Sequence, residues 1–263
     1  MYLVLRWRNY LASPDWHGGT RFFLFAWVAC MIPMPIIQWI TGDDGLTAGV
    51  YLSVLMQGTL AVLFLNQAAG WRRTAAIVLT VAAIAWASEA IGSKTGIPFG
   101  AYHYTGRLQP QLLGVPILIP LAWLMMLPPA WAVAQRLTGY SGPGSPAAVR
   151  AAFVALSALA FTAWDLFLDP QMVHWGLWVW DQPGQYFGIP LVNFAGWLLV
   201  SGLITALARP PRLPDRPLLV VYTLTWLIET VGLILFWGLY GPAAAGFIGM
   251  GLFVLLGWRA GRS

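Results

Sequence analysis

The feature that most constrains this chain is a series of apolar runs, each about one membrane thickness long. They cover approximately 22–41, 47–66, 74–92, 112–134, 149–169, 189–208, 217–239 and 242–258, with few charges inside any of them. An α-helix needs roughly 20 residues to cross the hydrocarbon of a bilayer. Lipid offers no hydrogen-bond partners, so a spanning run must satisfy its backbone internally, as a helix does. The expectation is an all-α polytopic membrane bundle of eight transmembrane helices. The last run is short, so seven spans plus a re-entrant piece is the alternative count. One integral-membrane domain is expected over 1–263, with no soluble domain.

Composition agrees. The chain is 59% hydrophobic and 9% charged, with mean hydropathy +0.70; a soluble domain of this size needs more surface charge. The single cysteine, Cys30, excludes an intrachain disulfide and suggests no cysteine-based metal site. Net charge is +5, which in a soluble protein would suggest nucleic acid. Here the basic residues lie between apolar runs, so no nucleic-acid partner is expected and topology explains them. With both termini cytoplasmic, the inside segments hold Arg6, Arg8, Arg21, Arg72, Arg73, Arg136, Arg150, Arg209, Arg212, Arg216, Arg259 and Arg262. The outside segments hold Lys94 and Arg107. No cleavable signal peptide is expected in 1–21, and Met1–Tyr10 reads as a short amphipathic surface segment or a plain terminus.

The middle of the chain repeats. Glu89 precedes Gly100-Ala-Tyr102-His-Tyr104 by the same interval that separates Asp165 from Gly176-Leu-Trp178-Val-Trp180. Gly114-Val-Pro116 is followed by Trp123, and Gly188-Ile-Pro190 by Trp197, again at equal spacing. Spans 3–4 and 5–6 therefore look like two copies of one unit, running parallel about an axis along the membrane normal. Spans 7–8, with Glu229 and Tyr240-Gly241-Pro242, read as a degenerate third copy. Transporters also use such repeats, so the symmetry alone does not imply an enzyme.

Carboxylates inside apolar runs are costly and mark functional sites. Glu89, Asp165, Asp169 and Glu229 are the candidates for acid–base chemistry. Asp165 and Asp169 are spaced i, i+4 and share a helix face. Trp86-x-x-Glu89-x-x-Gly92 and Trp226-x-x-Glu229-x-x-Gly232 match, so each glutamate is expected to have an indole beside it. Pro170 is expected to end span 5 at Asp169. A carboxyl in apolar, aromatic surroundings favours its neutral form and can donate a proton. The alternative readings are that the acids are hydrogen-bonded and ionised, or that they cap helix ends or bond neighbouring helices. Tyr102, Tyr104, Trp178 and Trp180 alternate, so each pair places two rings on one face of an extended segment, where they attract cations. His174 also lies in that aromatic loop.

Other chemistries find no support. His17, His103 and His174 form no cluster of the type that holds a di-iron centre, and no Asp-rich diphosphate motif lies in a span. Asp43-Asp44 reads as a solvated pair in a turn. No nucleotide loop or serine elbow is present. What remains is cofactor-free and metal-free acid–base chemistry on an apolar substrate.

At these residues the chain resembles the integral-membrane carotenoid biosynthesis proteins, the family of carotenoid 1,2-hydratases and bisanhydrobacterioruberin hydratase. The matching stretches are Trp86–Gly92, Thr95–Tyr104, Leu113–Ile117, Trp164–Pro170 and Tyr186–Asn193, together covering roughly 80–200, with a weaker echo at Glu229. The resemblance implies a hydro-lyase that adds water to the acyclic ψ end group of a lycopene- or γ-carotene-type substrate taken from the bilayer. Protonation of the terminal alkene gives a tertiary cation, which water captures. Asn193 is a candidate to hold that water. Membrane lipids and other carotenoid enzymes are the expected neighbours, and a bacterial plasma membrane the expected location. A membrane lycopene cyclase and a proton-coupled transporter of a lipid or small solute are the rivals.

Overall fold

A computed structural model describes residues 15–260. Its elements are α1 (Gly18–Met31), α2 (Met34–Thr95), β1 (Tyr102–Tyr104), β2 (Gln111–Leu112), β3 (Val115–Pro116), α3 (Leu118–Thr138), α4 (Ala147–His174), β4 (Trp178–Trp180), α5 (Leu191–Ala208), α6 (Asp215–Leu235) and α7 (Tyr240–Ala260). The fold is the all-α polytopic bundle the apolar runs call for. Met1–Tyr10, Arg6, Arg8 and Arg262 lie outside the described residues.

Among the described residues, six helices are long and apolar enough to cross a membrane. The first of them, α2, has 62 residues, about three hydrocarbon thicknesses if straight. It is broken at Gly42 (φ 70°, ψ −154°) and Gly70 (φ 72°, ψ 165°). A positive φ with an extended ψ is open to glycine alone, so these residues turn the chain back. Segments 43–69 and 71–95 are each of crossing length. Helix α1 runs on through Ile32 and Pro33, both in the right-handed helical region, into 34–41. That composite corresponds to the first expected span, and the count by length is eight. Helix α7, with 21 residues, is long enough to need no re-entrant reading.

Two expected boundaries are corrected. Residues 112–117 do not begin a span: β2 pairs antiparallel with β3, turning through Leu113 (φ 53°) and Gly114 (φ 85°), and α3 starts at Leu118. Helix α4 does not end at Asp169 but continues through Pro170 to His174. Proline removes the donor that would bond the carbonyl of Leu166. The hydroxyl of Tyr186 donates to that carbonyl instead, at 2.8 Å.

Helix α3 is the central element. Met126, Leu127, Ala130, Trp131, Ala132, Val133 and Ala134 are fully buried, and α2, α4, α6 and α7 all pack on it. Exposed Phe22, Ile40, Leu79, Leu199 and Ile248 face outward, as lipid-facing residues do. Arginines gather at one end and tie it together. Arg73 donates to the carbonyl of Arg209 at 2.9 Å. Arg136 donates to the carbonyl of Gly257 at 2.7 Å and pairs with Asp215 at 3.2 Å.

At the opposite end the two repeat copies meet. β1 pairs antiparallel with β4 in the register Tyr102↔Trp180, His103↔Val179, Tyr104↔Trp178. Exchanging the two copies maps the Tyr102–Trp180 pair onto Trp178–Tyr104 and leaves His103 facing its own counterpart, Val179, about a local twofold through that central pair. The flanking bonds obey the same symmetry: Thr105 N donates to Leu177 O at 3.0 Å, and Asp181 N to Ala101 O at 2.9 Å. The third copy keeps its helix pair and its acid but has no strand.

Candidate active site

A cavity of about 90 Å³ lies beneath the β1–β4 pair, inside the bundle. Glu89, Asp169, Glu229, Tyr102, Tyr104, Trp178, Trp180 and Asn193 line it. This volume suffices for a few waters or a narrow apolar end group. Asp165 does not line the cavity; it sits behind Asp169, fully buried.

Glu89 projects from the last turns of α2 and is met by donors from three directions. The Tyr102 hydroxyl donates to Oε2, as does the Tyr104 hydroxyl at 2.8 Å. The Trp123 indole donates to Oε1 at 3.3 Å. Three donors on one carboxyl match an ionised acceptor. Burial, then the Glu89 charge, pushes the phenols of Tyr102 and Tyr104 well above the usual range for tyrosine, so both remain donors at any working pH.

Asp165 and Asp169 form the second node. Their i, i+4 spacing on α4 brings the carboxyls within hydrogen-bonding reach of each other. Asn193, at the start of α5, donates from Nδ2 to Asp165 Oδ2 at 2.9 Å and to Asp169 Oδ2. The Trp178 indole donates to Asp169 Oδ1 at 3.1 Å. Two adjoining carboxyls with no cation nearby resist both carrying charge in a low dielectric, and one proton between them relieves the repulsion. Asp165 Oδ1 has no hydrogen-bond partner. The node therefore is an acid pair oriented by Asn193 and Trp178, with Asp169 open to the cavity.

The rings enclose both nodes. Tyr102 packs against Trp180 and Tyr104 against Trp178, each with centroids 5.7 Å apart. Trp123 stacks on Trp197 at 4.9 Å and 23°, and these two are the repeat counterparts that follow Gly-[Val/Ile]-Pro. Trp180 is anchored through its indole to the Phe99 carbonyl at 3.1 Å. An enclosed space walled by ring faces beside a carboxylate stabilises positive charge without offering it a covalent partner.

Three expected site residues lie elsewhere. Trp86 donates to the Leu112 carbonyl at 3.3 Å, outside the cavity. Trp226 donates to the Phe247 carbonyl at 2.9 Å and stacks on Phe247. A residue at i+3 is rotated to the adjoining face of its helix, so the glutamates turn inward while these indoles turn to the flank. His174 is exposed beyond the end of the bundle. Asn193 lines the cavity, and its Nδ2 donates to the two aspartates. Asp43 is exposed as expected but pairs with Arg107 at 2.7 Å. The sequence reading did not single out Trp123 as a partner for Glu89, although the repeat marks it, nor Gln57, Gln171 and Thr225, which also line the cavity.

Comparison with known proteins supplies the family. The family model described as carotenoid biosynthesis protein matches residues 48–253. A bisanhydrobacterioruberin hydratase from Haloarcula japonica is 28% identical over 196 residues, covering 71% of this chain and 62% of the relative. This chain thus matches less than two thirds of that protein's length. No solved structure matches.

Proposed function

The chain belongs to the carotenoid biosynthesis protein family, and from that premise we propose that it is a carotenoid hydratase. It adds water across the terminal 1,2 double bond of an acyclic ψ end group, on a lycopene- or γ-carotene-type substrate. The observation that carries this reading is the Asn193-bridged Asp165–Asp169 pair, whose Asp169 faces an aromatic cavity that also holds the triply bonded Glu89.

The end group enters the cavity from lipid with the polyene trailing behind it. Asp169, backed by Asp165, gives the shared proton to C2 of the terminal alkene. Asn193 and Trp178 hold the pair in place and stabilise the charge left on it. The tertiary cation at C1 lies among Tyr102, Tyr104, Trp178 and Trp180, with the Glu89 carboxylate as counter-charge. Water then adds at C1. The arginine-rich loops face the cytoplasm and the cavity lies in the opposite half of a bacterial plasma membrane. This chemistry calls on no cofactor.

Purified protein in detergent, given a ψ-ended carotene, tests the proposal. The expected product carries a tertiary hydroxyl and forms without any ion gradient. A β-ring product would assign a cyclase instead, and the absence of any product would favour a transporter.

A further inference from the structure

Four polar residues of the cavity take no part in the steps above. Glu229 and Thr225 on α6, Gln171 on α4 and Gln57 in segment 43–69 all line it, and each is more than nine-tenths buried. Thr225 and Glu229 are spaced i, i+4, one turn apart on a common face. The Gln171 amide lies beside the Glu229 carboxyl, while no protein group pairs with Glu229 Oε2. Gln57 Nε2 reaches only a weak acceptor, Met126 Sδ, at 3.3 Å. Thr225 Oγ1 donates to the Val221 carbonyl at 3.0 Å, which leaves its lone pairs open to accept a hydrogen bond. Buried polar groups are ordinarily paired, by protein or by bound water. A polar, roomy lobe with two to four such groups is what a bound water requires. Apart from Ser53, Glu89, Asp169, Asn193 and the two tyrosine hydroxyls, the rest of the lining is aliphatic, aromatic or methionine.

We infer that Glu229, Gln171, Thr225 and Gln57 form the binding site for the water that becomes the hydroxyl, with Glu229 as the base that takes its proton. This rests on the hydratase reading of the same cavity. The π pair of the alkene forms the C2–H bond with the proton released by the aspartate pair, leaving the cation at C1. A lone pair of the water oxygen forms the C1–O bond, and one O–H bond breaks towards the Glu229 carboxylate. One water has then been added across one double bond. Glu229 has gained the proton that the aspartate pair has lost, and its return restores both groups.

The lobe separates capture from protonation, so the two steps are separable by mutation. The full-length protein in detergent is given a ψ-ended carotene in D2O, and product and recovered substrate are analysed by mass spectrometry. Glu229→Gln is expected to lower hydroxylated product by roughly 100-fold. Recovered carotene still gains deuterium, because the cation forms and loses a proton again. Gln171→Met and Thr225→Val are expected to shift the same ratio in the same direction. They carry the test if Glu229→Gln does not accumulate. Hydration at the wild-type rate overturns the inference, and so does loss of deuterium uptake together with hydration, as expected for Asp169→Asn. A wild-type protein that neither hydrates nor exchanges overturns the hydratase reading itself, and shows this before any variant is made.

Discussion

Asp169 has the most exposed role at the residue scale. It alone of the aspartate pair lines the cavity, while Asp165 lies behind it and Asn193 bridges the two. Asp165→Asn and Asp169→Asn keep the shape but replace a group that releases a proton with one that does not. Each is expected to cut hydration by roughly 10²-fold or more, measured as initial rate on folded protein. Glu89→Gln leaves the hydroxyls of Tyr102 and Tyr104 an acceptor but removes the counter-charge, for an expected loss of about 10²-fold. The four acids were legible in the sequence because a carboxyl in an apolar run is anomalous by itself. Their partners were not. Trp86 is near Glu89 in sequence but turns to the flank, whereas Trp123 reaches it from another helix. That Asp169 lines the cavity while Asp165 does not, and that α4 continues past Pro170, which local rules place at a helix end, also became visible only in the fold.

That continuation makes a prediction at the element scale. Tyr186 donates to the Leu166 carbonyl that Pro170 leaves unpaired. Tyr186→Phe orphans that carbonyl and is expected to destabilise the protein by about 1–3 kcal/mol, read as a lower midpoint in thermal unfolding of the detergent-solubilised protein. Helix α7 meets α4 where Gly246 faces Phe167, a fully buried ring. A Cβ at 246 would come within 2.6 Å of that ring. Gly246→Ala is therefore expected to cost about 1–3 kcal/mol by overpacking, in the same assay, and to disturb the turn of α4 that carries both aspartates. Span existence was readable from apolar length alone. Boundaries were less so. The turn at Leu113-Gly114 and the breaks at Gly42 and Gly70 depend on backbone conformations that hydropathy does not register.

For the whole molecule, the repeat is the organising fact. Its spacing in sequence anticipated the aromatic pairs, and the symmetric register of β1 with β4 closes the two copies over one cavity. The equal spacing also anticipated Trp123 and Trp197 as counterparts; that they stack is visible only once the helices are packed. The asymmetry of the site is equally informative. Glu89 and Asp165 occupy equivalent slots, yet one is ringed by donors and the other adjoins Asp169, a residue without an acidic counterpart at Ser93. The divergence of the copies separates the charge-stabilising half from the proton-bearing half. The arginine-rich end predicts topology. With Cys30 replaced by alanine, single cysteines at Ser141 and Gly106 are expected to label from the cytoplasmic and opposite sides, respectively; the reverse pattern would invert the assignment.

The central claim is that the aspartate pair drives hydration of a ψ end group. Its most direct test is pigment mass spectrometry of lycopene-accumulating cells expressing the wild-type chain or Asp169→Asn. The account predicts products heavier by one or two waters from the wild type and unchanged lycopene from the variant. An isomer of unchanged mass from the wild type, or equal hydration by the variant, would contradict it.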